Sequence, residues 1–150
     1  MRQRGFTLIE LMATLAVASV LLSVGMPSLF ESIARARLEG AVNELATDLQ
    51  YARSEAVRER ATVVLRVAAN GGGYIISNPT VTLKTVSLPV GVTLSAGATV
   101  SYDALRGLSE VTTFAASVSG LARTLRVTTN ALGRVQVCAP AGTFGSSPAC

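Results

Sequence analysis

The pattern of apolar and polar positions divides the chain into three stretches. Residues 11–30 contain no Asp, Glu, Lys or Arg, and about 20 residues rising about 1.5 Å each match the roughly 30 Å core of a bilayer. Residues 31–60 contain no Pro and keep a helical period. From Ala61 onward the period is two, which is typical of β-strands. The pattern predicts one membrane span, which continues as an amphipathic helix, and then a β-rich head.

The amphipathic stretch has its apolar residues at alternating spacings of four and three. They are Leu38, Val42, Leu45, Leu49, Ala52 and Ala56. Glu31, Arg35 and Glu39 lie on other faces at i,i+4 spacing, which supports a helix. Earlier in the helix Gly25 and Pro27 interrupt the pattern, and Pro27 is predicted to kink the helix because it removes a backbone hydrogen bond.

Eight short strands are predicted in the head. They cover residues 62–67, 74–77, 81–88, 92–94, 99–102, 111–115, 124–129 and 134–138. Residues 70–73 and 130–133 combine Asn with Gly and are predicted to be hairpin turns. The predicted fold class is α+β, in which the apolar stripe of the helix packs on one face of an antiparallel sheet or of a pair of sheets.

Glu10 is an acidic residue in the otherwise apolar N-terminal segment. A carboxylate in hydrocarbon costs about 2.5–3.5 kcal/mol on insertion scales, so Glu10 is expected to have a partner. Arg2 and Arg4 precede the segment and favour a cytoplasmic N-terminus with the remainder exported. The alternatives are a plain single-pass anchor and a secretory signal peptide cleaved near residues 16–18. The apolar run continues well past residue 18, which weighs against an ordinary signal peptide.

The run Gly5-Phe6-Thr7-Leu8-Ile9-Glu10 resembles the cleavage motif of type IV prepilins and pseudopilins. The resemblance implies that a membrane-embedded prepilin peptidase cuts after Gly5 and that Phe6, the new N-terminus, is methylated. It places the family's assembly glutamate at Glu10 and its helix-disrupting proline at Pro27. Because cleavage creates an ammonium at Phe6, Glu10 of one subunit is expected to pair with Phe6 of a neighbour in a filament.

Two further blocks, residues 41–56 and 130–138, resemble the GspH/FimT family. Members of this family act as minor pilins that prime type IV pili and sit near the tip, or as minor pseudopilins of type II secretion. The Cys pair near the C-terminus resembles the FimT/FimU-like pilus branch more closely, so a minor pilin is preferred and a GspH-like pseudopilin is the alternative. The implied partners are other pilins or pseudopilins, the prepilin peptidase, an inner-membrane assembly platform and the inner membrane itself.

Composition restricts the chemistry available to the chain. With no His, two Cys and nine acidic residues, neither a metal site nor a cofactor is expected, and the chain is not predicted to be an enzyme. Cys138 and Cys150 are expected to form a disulfide in an oxidising compartment. Two free buried thiols are the alternative.

Three arginines, Arg123, Arg126 and Arg134, form a candidate DNA-binding patch. Some FimT-like proteins bind DNA through a Gly-Arg-x-Arg pattern, and residues 133–136 match only its first Arg because Gln136 replaces the second. Residues 61–150 carry six basic and two acidic side chains, a net charge of +4, which favours contact with phosphates. The alternative is that these arginines solubilise a sheet surface.

The predicted organisation has four parts, which together make a type IV pilin-like fold with a long N-terminal helix, half of it transmembrane. Residues 1–5 form a leader, 6–30 a transmembrane and assembly helix, 31–60 the amphipathic helix of the head, and 61–150 a β-rich head whose tail the disulfide closes. The head is expected in the periplasm before assembly, and in a pilus or periplasmic pseudopilus afterwards.

Overall fold

The computed structural model describes residues 7–150. Its elements, in chain order, are α1 Leu8–Glu59, β1 Val63–Val67, β2 Gly73–Ser77, β3 Thr82–Ser87, β4 Val92–Leu94, β5 Thr99–Tyr102, β6 Thr112–Val118, β7 Thr124–Thr129 and β8 Val135–Cys138. The chain divides into two compact units, residues 1–33 and 34–150. The α+β class with antiparallel sheets is the predicted one.

The helix predicted to reach about residue 60 ends at Glu59. Arg60 adopts a left-handed backbone conformation (φ 53°), and the amide of Ala61 donates to the carbonyl of Ala56 at 3.2 Å. A left-handed residue just after the last turn is a common way to satisfy the final carbonyls of a helix. The turn into β1 therefore follows directly from the end of α1.

In the first unit, every side chain that the structure describes from Thr7 to Ile33 is exposed. Within residues 7–150 no single helix meets the length and composition expected of a membrane span, but Leu8–Ser23 and Ser28–Glu59 meet it together as a bent pair. Pro27 lies between these two segments, and its predicted role in a kink stays a prediction.

The second unit contains two antiparallel four-stranded sheets. The first has the strand order β3-β2-β1-β5, and the second has the order β4-β6-β7-β8. Strand β6 runs to Val118, three residues beyond its predicted end at residue 115, because Ala116 and Val118 pair with Leu94 and Val92 of β4. Pairing across the sheet thus extends a segment whose Ala and Ser residues favour strands only weakly.

The core joins the predicted helix stripe to inward-facing residues of both sheets. All six predicted stripe residues are buried, and they pack in one apolar cluster with residues such as Leu65, Ile76, Phe114 and Val127. Successive side chains of a strand point to opposite faces of the sheet: in β7, Leu125 and Val127 are buried while Arg126 is exposed. The outer sheet faces and the connecting loops are therefore the surfaces available for function.

Candidate functional site

The N-terminal motif is only partly within the described residues. Gly5 and Phe6, the predicted cleavage and methylation positions, lie outside them. Thr7 immediately precedes α1, and its hydroxyl accepts a hydrogen bond from the amide of Glu10 at 3.4 Å. Thr7 thus caps the helix with Glu10 in its first turn, the spacing of a capping box. The side chain of Glu10 is exposed, so it is available to a partner outside the chain.

The C-terminal tail is closed by the predicted disulfide. Cys138 and Cys150 are bonded, with their Cα atoms 4.9 Å apart. The amide of Cys150 donates to the carbonyl of Ala139 at 3.1 Å. Inside the loop Phe144 is buried, and the guanidinium carbon of Arg35 lies 5.3 Å from its ring centroid, within the range of a cation–π contact. The tail is therefore anchored both to β8 and to the helix.

The three arginines of the candidate DNA-binding patch are spread along the β7–β8 hairpin. Arg126 is opposite Cys138 in the register, and Arg123, just before β7, donates to the carbonyl of Thr143 at 3.5 Å. The carbonyl of Arg134 accepts from the amide of Asn130 at 3.0 Å. Arg134 is thus four register positions from Arg126, about 13 Å along the strand at about 3.3 Å per residue. The structure places Arg123 and Arg126 at one end of the hairpin and Arg134 at the other.

Arg134 instead shares a cleft with two arginines that the sequence did not single out. We call it the arginine cleft; it has a volume of about 580 Å³, and its walls include Gln50, Arg53, Ser54, Arg106, Arg134 and Val135. Arg53 belongs to α1, Arg106 to the loop between β5 and β6, and Arg134 to the turn between β7 and β8. Three segments far apart in the chain therefore each contribute one arginine to the lining of the same cleft.

Two glycines hold Arg53 in place. Its Nε donates to the carbonyl of Gly107 at 3.1 Å. A Cβ at Gly133 would lie 2.5 Å from the Gly107 carbonyl oxygen and 2.8 Å from Arg53 Nε, and Gly133 has a φ of +71°. Only glycine fits such a close approach in a left-handed conformation. The Asn130 side chain accepts the amides of Leu132 and Arg134 and thereby shapes this turn.

A second polar cluster lies inside the head, between α1 and the first sheet. The buried Asp48 carboxylate accepts hydrogen bonds from the Tyr74 hydroxyl at 2.7 Å and from Lys84 Nζ at 2.7 Å. Burial, followed by the bond to Asp48, raises the pKa of Tyr74, and the bond to Asp48 raises the pKa of Lys84. These groups satisfy one another, so the cluster is a structural tie between α1 and two strands.

The sequence contained weak signals for the arginine cleft. Arg53 follows the buried Ala52 of the helix stripe, and residues 130–133 were predicted to form a turn. The sequence did not indicate that Arg53, Arg106 and Arg134 line the same cleft. Their proximity depends on how the two loops pack on the helix.

The fold is that of pilin-like filament subunits. The crystal structure of the type IV minor pilin FimU from Pseudomonas aeruginosa matches with a TM-score of 0.61 at 23% sequence identity, covering 75% of this chain and 96% of that one. The minor pseudopilin EpsH from the type 2 secretion system of Vibrio cholerae matches with a TM-score of 0.53 at 15% identity, covering 69% of this chain and 98% of that one. At these identities the likeness concerns the fold.

The family is given by the sequence itself. Residues 41–133 match the family described as type II transport protein GspH, and residues 1–26 match the prokaryotic N-terminal methylation motif. The chain belongs to the GspH family of pilin-like proteins. Over 77 residues it is also 43% identical to the pilin-like protein PilA1 of Thermus thermophilus. That match spans 51% of this chain and about half (48%) of the relative.

Proposed function

We propose that the chain is a minor pilin of a type IV pilus, anchored in the inner membrane by its N-terminal helix and then incorporated near the tip, where it primes assembly. The observation that carries the proposal is α1. The described side chains of residues 8–33 of this helix are mostly apolar, and all of them are exposed. An exposed apolar surface of this size requires lipid or other subunits to cover it.

Processing and assembly act on the first residues in this proposal. The prepilin peptidase cuts between Gly5 and Phe6, Phe6 is methylated, and the inner-membrane platform passes the subunit into the filament. The exposed Glu10 then pairs with the ammonium of Phe6 in a neighbouring subunit. The match of residues 1–26 to the methylation motif supports this sequence of events.

The alternative is a minor pseudopilin of a type II secretion system. The GspH family description and the fold likeness to EpsH support this alternative. The fold likeness to FimU and the disulfide-closed tail support the pilus. We prefer the pilus because the tail is anchored to the head by both a disulfide and the buried Phe144.

A deletion strain separates the two machines. Surface pili, secreted enzymes and transformation frequency are measured in the deletion and in a strain complemented with the full chain. The proposal expects loss of pili with normal secretion, restored by complementation. Normal piliation with lost secretion would establish the pseudopilin alternative, and a strain unchanged in pili and secretion would contradict both.

DNA contact during uptake is a second candidate function, favoured by the exposed Arg126 beside Arg123 and by the positive charge of the head. The full chain in detergent micelles is expected to retard duplex DNA, less so as salt increases, because each phosphate contact releases counterions. An Arg123→Ala/Arg126→Ala/Arg134→Ala variant is expected to lose most of this retardation. The control, Arg60→Ala/Arg66→Ala, removes two exposed arginines elsewhere on the head. Equal retardation by the triple variant would exclude the patch.

A further inference from the structure

The arginine cleft concentrates positive charge that the described part of the chain neutralises only in part, through the Asp103 carboxylate near Arg106. Within residues 7–150, the guanidinium groups of Arg106 and Arg134 make neither a hydrogen bond nor an ion pair with another side chain, and Arg53 uses only its Nε. None of the residues that line the cleft is acidic. Like charges gathered in one cleft repel each other, so an anion placed between them is stabilised by all three.

The acid closest in sequence to the cleft is already engaged. The carboxylate of Asp103 accepts the backbone amides of Leu105 and Arg106, both at 3.0 Å. These two bonds, the one to Arg106 first, lower the pKa of Asp103. Asp103 therefore shapes the loop that carries Arg106. Attraction to the Arg106 guanidinium also lowers the pKa of Asp103, but within residues 7–150 the two side chains form no ion pair, so the three arginines can still bind an external anion.

The surroundings of the cleft indicate what kind of molecule carries that anion. Leu105, which precedes Arg106, and Leu132, two residues before Arg134, are 78% and 60% exposed, and Val57 on the helix side is 45% exposed. Arginine beside exposed apolar side chains is typical of protein interfaces. No aromatic side chain is among the described residues that line the cleft, whereas single-stranded nucleic acid is usually held by stacking on aromatic rings.

We propose that the arginine cleft binds an Asp or Glu side chain of a neighbouring filament subunit of a different kind, with apolar side chains of that subunit packed against Leu105 and Leu132. The proposal rests on the proposed role as a filament subunit. Guanidinium groups suit this ligand because each can hold a carboxylate through two parallel hydrogen bonds. Arg53, held between Gly107 and Gly133, is the fixed member of the group.

Charge argues that the partner is not a second copy of this chain. Residues 34–150 contain eleven Arg and Lys against seven Asp and Glu, a net charge of +4. Two of those acids are occupied internally: Asp48 by Lys84 and Tyr74, and Glu55 by Arg58. Two such heads would repel each other, so an acidic subunit complements the cleft better than an identical one.

The test is photo-crosslinking in the native cell, with the full chain. A photo-reactive amino acid replaces the exposed Leu132, filaments are sheared and purified, and the crosslinked peptide is mapped by mass spectrometry. The expected adduct lies within a few residues of an Asp or Glu in a different filament subunit. In an Arg106→Gln/Arg134→Gln background the adduct is expected to fall at least tenfold, whereas the matched Arg123→Gln/Arg126→Gln background is expected to retain it.

Each other outcome overturns the proposal. An adduct of unchanged yield in the Arg106→Gln/Arg134→Gln background shows that the cleft does not hold the partner. Adducts only with nucleic acid identify a DNA site, and adducts only with a second copy identify a self-interface. Folding of the variant is checked by formation of the Cys138–Cys150 disulfide. If the wild-type chain is absent from filaments, the proposed function fails; if it is present without an adduct, only this inference fails.

Discussion

Asp48 shows how one side chain ties the helix to a sheet. Its side chain is only 7% exposed, yet it is charged, which is tolerated because Tyr74 and Lys84 both donate to it. Glu44 also approaches Lys84, at 3.6 Å, but its side chain is 48% exposed. The two acids near Lys84 therefore differ mainly in burial, and burial determines how much each ion pair contributes to the free energy of unfolding.

Asp48→Ala is expected to lower the free energy of unfolding by about 3 kcal/mol, because it leaves the buried Tyr74 hydroxyl without its acceptor and leaves Lys84 only the exposed Glu44, at 3.6 Å. The control Glu44→Ala removes an exposed pair and is expected to cost no more than about 1 kcal/mol. Urea unfolding of the full chain in detergent micelles, followed by tyrosine fluorescence, measures both. Equal losses in the two variants would show that burial of Asp48 does not matter.

Stability is also expected to fall in alkaline solution. Tyr74, Tyr102 and Lys84 all have raised pKa values in the folded head, the tyrosines mainly through burial and Lys84 through its bond to Asp48. Above about pH 10 the unfolded chain releases these protons first, so the folded state holds more protons and its stability decreases as the pH rises.

Calorimetric unfolding temperatures between pH 8 and pH 11.5 test this expectation. The wild-type temperature should be level at the lower end and decline above about pH 10. Tyr74→Phe removes one of the titrating groups and is expected to decline less steeply from its own, lower, starting value. A parallel decline in the two proteins would mean that Tyr74 does not contribute.

The turns are the elements that position the arginine cleft. The β7–β8 turn depends on Asn130, whose side chain accepts two amides, and on Gly133, which lies against Gly107 and Arg53. The helix contributes Arg53 from a position next to its buried stripe. Asn130 and Gly133 therefore determine the conformation of the turn, and the packing of this turn on α1 brings Arg134 into the same cleft as Arg53.

Gly133→Ala is expected to destabilise the head by at least about 2 kcal/mol more than Gly97→Ala. Both glycines have a left-handed φ, +71° and +70°, but a Cβ at Gly97 meets nothing within 4 Å, whereas one at Gly133 meets the Gly107 carbonyl oxygen at 2.5 Å. Comparing the two variants thus separates the free-energy cost of a left-handed alanine from the cost of the close contact with Gly107. Urea unfolding measures it, and equal losses would show that the turn relaxes away from the helix.

The chain combines a head that has its own buried apolar core with an N-terminal helical segment whose described side chains are exposed. The apolar cluster of the head lies within residues 34–150, whereas the described side chains of residues 7–33 are exposed. A buried core stabilises the head by itself, but the N-terminal helix needs lipid or neighbouring subunits. The exposed apolar surface of residues 7–33 is therefore the surface on which the proposed association depends, and Glu10 is an acidic residue within it.

Glu10→Ala is expected to reduce incorporation into filaments at least tenfold, because it leaves the Phe6 ammonium of a neighbour without a buried counter-ion. Membrane insertion and cleavage after Gly5 are expected to continue. Immunoblots of sheared filaments and of membranes measure the two pools. Thr14→Ala, one turn further along the same helix, is the control and should assemble normally. Normal incorporation of the Glu10→Ala protein would remove this role.

Much of the secondary structure was predictable because it depends on local spacing. The helix ends one residue before its predicted limit, and most strands agree with their predicted ranges within a residue or two. Strand β6 was predicted too short, because Ala116 and Ser117 have little intrinsic preference for strands and are held there by β4 and β7. The disulfide between Cys138 and Cys150 was predicted and is confirmed.

The sequence by itself determined the apolar N-terminal segment, the buried stripe of α1, the alternation of the strands and the cysteine pair. These features follow from backbone periods and residue chemistry that act over a few positions. Only the tertiary structure decided that the strands form two sheets, that Asp48 is buried between Tyr74 and Lys84, and that Arg134 joins Arg53 and Arg106 rather than Arg123. Such contacts join positions tens of residues apart, so they depend on packing and register rather than on any local pattern.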